Sequence, residues 1–165
     1  MARWNSRFTM KKAFIDTNFL IKLLNIQDPA HKNAVAYFKY FVENQIIIIV
    51  SSIAVGEYCV QGEITHLPLK NLQTLNYNIL HAIKAGKCGF IAFNARKNKE
   101  ITVERIVITN DVKLFAQAEI EKVTFYVTGD TKSKSIFDLL RKEAGLSYQF
   151  IDINKPLQES FGILF

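Results

Sequence analysis

The 165-residue chain has little of what would keep a polypeptide from packing as an ordinary globular unit. It holds only three prolines and seven glycines and no low-complexity tract, which excludes a disordered tail or a flexible linker as its main content. Two cysteines, Cys59 and Cys88, are too few for a disulfide framework and lack the paired spacing of a zinc site. Both lie in apolar stretches and read as buried structural residues. A long hydrophobic run is missing as well. The most apolar segment, "QIIIIVSSIAV", is broken by Ser51 and Ser52 and bounded by Gln45 and Glu57, well short of the roughly 20 residues a spanning helix needs. The opening "MARWNSRFTMKK" is basic without the apolar segment of a secretory signal. These absences predict a cytoplasmic protein with no membrane partner.

What is present argues for one packed domain over residues 1–165. Hydrophobic residues make up 49% of the chain, 13 of them Phe, and a chain of this size buries about two-thirds of the surface its unfolded form exposes. The net charge of +6 is compatible with a polyanionic partner and compels none.

Strand-like and helix-like segments alternate. "KKAFID" (11–16) is a short apolar run, and "TNFLIKLLN" follows with Phe19, Leu20, Leu23 and Leu24 at helical spacing. Residues 28–45 carry Pro29 where a helix would begin and repeat apolar positions every three or four. "IIIIV" (46–50) is β-branched without alternation, as in a strand covered on both faces. A helix over 52–62 is expected next, with Ser52 as cap and Gly62 as stop. Residues 69–77 should end in a short edge strand, and Asn78 should cap a helix through "ILHAIKAGKCGFIAFNA". Residues 96–105, highly charged, read as an exposed loop or lid. The spacing then predicts a helix over 110–122, a strand over 123–130, a helix over 133–145 stopped by Gly145, and a strand over 148–153. This alternation implies a three-layer α/β/α fold with a mostly parallel central sheet.

In such a sheet, ligands gather at the carboxyl ends of the strands. Asp16 and Asp130 each end a strand, Glu57 lies on the helix after "IIIIV", and Asp111 opens a helix after "IVITN". Singly, each has a plain structural role: Asp16 as a helix cap, Asp111 in a helix dipole, Glu57 on a solvated face, Asp130 in a turn. Together, at four junctions on one edge, they would repel unless a cation lay between them. Oxygen donors with no neighbouring His or Cys suit Mg2+ or Mn2+ better than Zn2+. His31, His66 and His81 show no ligand spacing.

"FIDTNFLI", "IVSSIAVGEYCVQG", "NDVKLFAQAEIEK" and "FYVTGD", in that order, resemble the PIN domain, the fold of small metal-dependent ribonucleases that includes the toxins of VapBC toxin-antitoxin pairs. The likeness runs from about Ala13 to Ile153. It implies an acidic quartet of Asp16, Glu57, Asp111 and Asp130, acting as catalytic and metal-binding residues with one or two Mg2+ or Mn2+ ions. A metal-activated water would attack a phosphodiester in single-stranded RNA. Asn18 and Thr128 fall beside these ligands and are expected to orient them, and Lys132 and Lys134 are expected to contact RNA. An antitoxin protein and a second copy of the chain are the partners the resemblance implies.

Two stretches depart from that pattern. Residues 86–105 are longer and more basic than in a minimal toxin of the family, and "TGDTKSKS" replaces the usual tail after the last aspartate. A housekeeping RNA-processing nuclease and a non-catalytic RNA- or protein-binding module therefore stay open beside the toxin. A phosphatase with an aspartyl-phosphate intermediate is disfavoured, because position 18, where a second Asp would be wanted, is Asn.

Overall fold

The computed structural model describes residues 10–162, so the reading of the first nine residues as lacking a signal lies outside the described part. The elements run β1 (Lys12–Ile15), α1 (Thr17–Leu24), α2 (His31–Glu43), β2 (Ile47–Ser51), α3 (Ser52–Tyr58), β3 (Leu72–Leu75), α4 (Ile79–Lys97), α5 (Arg105–Ile120), β4 (Phe125–Thr128), α6 (Lys134–Ala144), β5 (Gln149–Asp152) and α7 (Leu157–Phe161). The five strands form one sheet in the order β3-β2-β1-β4-β5, and every neighbouring pair is parallel. Strand β1 is central, so the edge at which it ends is flanked on both sides by the ends of β2 and β4.

Successive residues of a strand point to opposite faces, and β1 feeds both layers in this way. Ala13 and Ile15 join Phe19 and Leu20 of α1 and Tyr37 and Phe41 of α2 in one core. Phe14 joins the other, with Cys88 and Ala92 of α4, Ile108, Val112 and Phe115 of α5, and Phe137 and Leu140 of α6. Its ring stacks on Tyr126 of β4 at 5.7 Å. This is the predicted α/β/α sandwich, and no helix among the described residues is long and apolar enough to cross a membrane.

Helix boundaries follow local chemistry in most places. Asn78 caps α4 as expected: its side chain accepts from the backbone N–H of Leu80 and His81, while His81 Nδ1 accepts from Asn78 N–H. Gly145 ends α6 in the left-handed region, at φ 69°.

Four expectations need correction. Helix α5 starts at Arg105 rather than near 110. The β-branched run "IVIT" at 106–109 lowers helix propensity, but Ile108 is buried against α4 and the α6 layer, and packing decides. Helix α3 ends at Tyr58, not at Gly62, and its cap is Ser51, whose hydroxyl accepts from Ile53 N–H. Helix α4 continues through Gly86 and Gly89 to Lys97, leaving residues 98–104 as the exposed connection. Cys59, at the C-terminal cap of α3, is exposed, whereas Cys88 is buried as expected.

Candidate active site

Asp16 follows the last residue of β1 and caps α1, which puts a carboxylate at the buried end of the central strand. Its Oδ1 accepts from Phe19 N–H at 2.8 Å, and its Oδ2 accepts from the hydroxyl of Thr128, the last residue of β4. The same hydroxyl oxygen accepts from Asp130 N–H at 2.9 Å. Thr128 thus ties the ends of two neighbouring strands together and fixes Asp16 relative to the turn bearing Asp130. That turn is held by its own side chain: Asp130 Oδ1 accepts from Lys132 N–H at 2.9 Å, an arrangement Asp favours in tight turns.

Asp16, Asn18, Glu57, Asp111 and Asp130 line a single cavity of about 250 Å3, together with Thr17, Ile21, Val107, Asn110 and Leu114. All four predicted acids therefore meet. They do so by a different route for one of them. Asp111 does not open a helix; it is the seventh residue of α5, too far from the helix start for a dipole effect, which fades within the first turn. It reaches the cavity because α5 begins five residues before "ND" and lies along the sheet edge.

Electrostatically the cavity is short of positive charge. Burial, offset by the bonds from Thr128 and Phe19 and reinforced by the charges of Asp130 and Glu57, pushes the Asp16 carboxyl up from 3.8 to about 7. Burial, and then the charges of Asp16, Asp130 and Glu57, push Asp111 up to about 8. Two acceptors in the cavity, Asp111 Oδ2 and Asn18 Oδ1, are buried with no hydrogen-bond partner. A buried acceptor without a donor is costly. Those two oxygens call for a cation or for water.

No group of three His, Cys, Asp or Glu side chains among the described residues is disposed to hold a metal ion. Both Asp16 oxygens are engaged in hydrogen bonds, and Glu57 Oε2 accepts from the Thr17 hydroxyl. The donor set still fits a hard cation, since Mg2+ is commonly held by one or two carboxylates and keeps several waters.

No protein-family model and no curated protein sequence matches the chain. Solved structures do resemble it. VapBC2 from Rickettsia felis, crystallised with a DNA fragment from its promoter, has a TM-score of 0.55 at 18% identity, over 76% of this chain and 92% of that one. FitAcB from Neisseria gonorrhoeae scores 0.60 at 15% identity, over 86% and 97%. The Mycobacterium tuberculosis toxin VapC20, which cleaves the sarcin-ricin loop, scores 0.52 at 15% identity, over 74% and 93%. The chain has the PIN-domain fold.

Within this PIN fold the two second-rank expectations separate. Thr128 contacts Asp16 directly, and Asn18 lines the acidic cavity. The two lysines also separate. Lys132 lines a hollow of about 410 Å3 next to the acids, with Thr102, Val103, Glu104, Val107, Thr131 and Ser135. Lys134 lines a different hollow along β5, and neither hollow's lining includes any of the four acids; the Lys134 ammonium pairs with Asp138 and lies 5.8 Å from the Phe137 and Phe150 ring centres. Sequence reasoning missed Thr17 and Asn110. Each is adjacent in sequence to an acid of the quartet, which was the available signal, but a partner such as Thr17 to Glu57, 40 residues apart, shows only in three dimensions.

Proposed function

We propose that this chain is a Mg2+- or Mn2+-dependent endoribonuclease that cleaves phosphodiester bonds of single-stranded RNA, and that it acts in the cytoplasm as the toxin of a toxin-antitoxin pair. The observation that carries the reading is the cavity in which Asp16, Glu57, Asp111 and Asp130 meet beside two unpartnered oxygens. The likeness to VapBC complexes and to a toxin named for cleaving an RNA loop supports the biological role. An antitoxin protein is the expected partner, and a homodimer the expected assembly.

One or two of the carboxylates lining the cavity, Asp111 with its unpartnered oxygen foremost, would hold the cation, with Glu57 at the exposed rim. A bound divalent ion supplies positive charge there, lowers the pKa of a water and offsets the charge that develops on a phosphodiester under attack. The chain's own groups position that chemistry. Thr128 and Phe19 N–H fix both oxygens of Asp16, Thr17 restrains Glu57, and the Asp130 turn holds its carboxylate towards the strand ends. Leu114, Val107 and Ile21 supply an apolar wall that limits water, which strengthens electrostatic interactions inside.

The test is cleavage of a labelled single-stranded RNA by purified chain in Mn2+. We expect Asp16→Asn to lose at least a hundredfold in rate while keeping its fold, because Asn still caps a helix. Native-level cleavage by that variant would overturn the assignment. Growth arrest on expression, relieved by the product of an adjacent gene, separates toxin from RNA-processing enzyme.

A further inference from the structure

Two hollows adjoin the acidic cavity, and they differ in charge. One, between α1 and α3, shares Ile21 and Glu57 with it and is otherwise lined by Leu24, Asn25, Tyr58, Val60, Gln61, Gly62 and His66, without a Lys or Arg. The other shares Val107 with it and opens beside Asp130, between residues 102–107 and residues 131–135. Only the second offers a polyanion a cationic side chain, Lys132, with Glu104 on the same lining.

We infer that the second hollow is a nucleotide subsite: it receives the nucleotide next to the scissile phosphate, with the flanking phosphate against Lys132 and the base towards Thr102 and Glu104. This rests on the proposed ribonuclease reading and gives its substrate a direction. Four observations carry it. Lys132 has no acidic partner among the described residues, whereas Lys134, two positions on, is committed to Asp138. The Lys132 backbone N–H donates to the Asp130 carboxylate at 2.9 Å, so the residue's main chain is anchored beside the acids. The opposite wall is built rather than loose: Arg96 Nε donates to Val103 O at 2.9 Å, and the Arg105 guanidinium lies 5.7 Å from the centre of the Phe93 ring. Thr131 and Thr102 border the hollow, and their hydroxyls can donate to phosphate or sugar oxygens.

Glu104 fits the base end and not the phosphate end. A carboxylate repels phosphate but accepts well from an exocyclic amino group such as cytosine N4. The charged segment at 96–105 is thereby given a role, as the wall facing Lys132.

The test is binding of a fluorescein-labelled single-stranded RNA to the native chain in EDTA, followed by anisotropy across a salt series. Each phosphate contact on a single strand contributes about 0.7 to the slope of log K against log salt. Lys132→Ala should therefore lower the slope by about 0.7 and weaken binding about fivefold at 0.1 M salt. Lys134→Ala and Val60→Ser should change affinity by less than about twofold, and Glu104→Gln should change the preference between cytosine-rich and uracil-rich strands. An unchanged slope in Lys132→Ala, an equal loss in Lys134→Ala or Val60→Ser, or no RNA binding by the native chain overturns the inference. The readout needs no cleavage. RNA that is bound through Lys132 yet left uncut in Mn2+ removes the nuclease and keeps the subsite; cleavage by a chain whose binding ignores Lys132 removes the subsite and keeps the nuclease.

Discussion

Replacing Asp111 by Asn should stabilise the metal-free protein, and more so as pH rises. The carboxyl goes from 3.8 to about 8 in the fold, through burial first and then the charges of Asp16, Asp130 and Glu57. A carboxyl whose folded pKa lies above its unfolded one binds its proton more tightly in the native state. Its contribution favours folding fully below pH 3.8, and is lost progressively as pH climbs to about 8. Each unit in that window costs about 1.4 kcal/mol, so at pH 7 the ceiling is about 4 kcal/mol, and partial exposure of the side chain brings the expected value to about 2 kcal/mol. A domain of this size shifts its melting temperature by about 2–4 °C per kcal/mol. We expect Asp111→Asn to melt about 5 °C above the native chain in EDTA at pH 8, with the two converging towards pH 4. Differential scanning calorimetry from pH 4 to 8.5 reads this directly, and the difference between the two proteins cancels the titrations of groups remote from the cavity. Added Mn2+ should reverse the order, since an ion that binds only the folded native chain stabilises it. A variant that melts below the native chain in EDTA at pH 8, or a difference that does not depend on pH, would refute the reasoning.

Thr128→Val removes the donor to Asp16 Oδ2 and the acceptor of Asp130 N–H; we expect a loss of about 1–3 kcal/mol in urea unfolding, and a change below 0.5 kcal/mol would contradict the bonding described. Gly129→Ala brings a methyl carbon to 2.4 Å from both Asn18 Oδ1 and Lys22 Cε. Both are the far ends of side chains that can move aside, so stability should fall by less than about 1 kcal/mol while RNA cleavage drops at least tenfold; undiminished cleavage would show that Asn18 has no part in the site.

The fold was legible wherever one residue type decides a local outcome. "KKAFID" and "IIIIV" could only be buried strands, Asn78 and Gly145 punctuate their helices, and the parallel sheet follows from the alternation. The acids were legible for the same reason: Asp16 and Asp130 stand where strands end. Asp111 was found for a partly mistaken reason. Its place in the middle of α5 depends on Ile108 being buried between helices, and no pattern within 106–109 tells that from a strand. Lys132 and Lys134, expected alike to contact RNA, line different hollows. The pairing of Lys134 with Asp138 and its approach to the rings of Phe137 and Phe150 are contacts rather than spacing.

The Thr128 hydroxyl on Asp16 bridges positions 112 apart in sequence, and one consequence concerns biosynthesis. While a ribosome is still adding the first hundred residues, the amino-terminal half has neither that bridge nor Asp111 or Asp130. A truncated product, or a nascent chain still attached to the translation machinery, lacks the assembled centre. The acidic cavity is therefore completed late and all at once, when the last of its four carboxylates has been added and the β4 end has paired with β1.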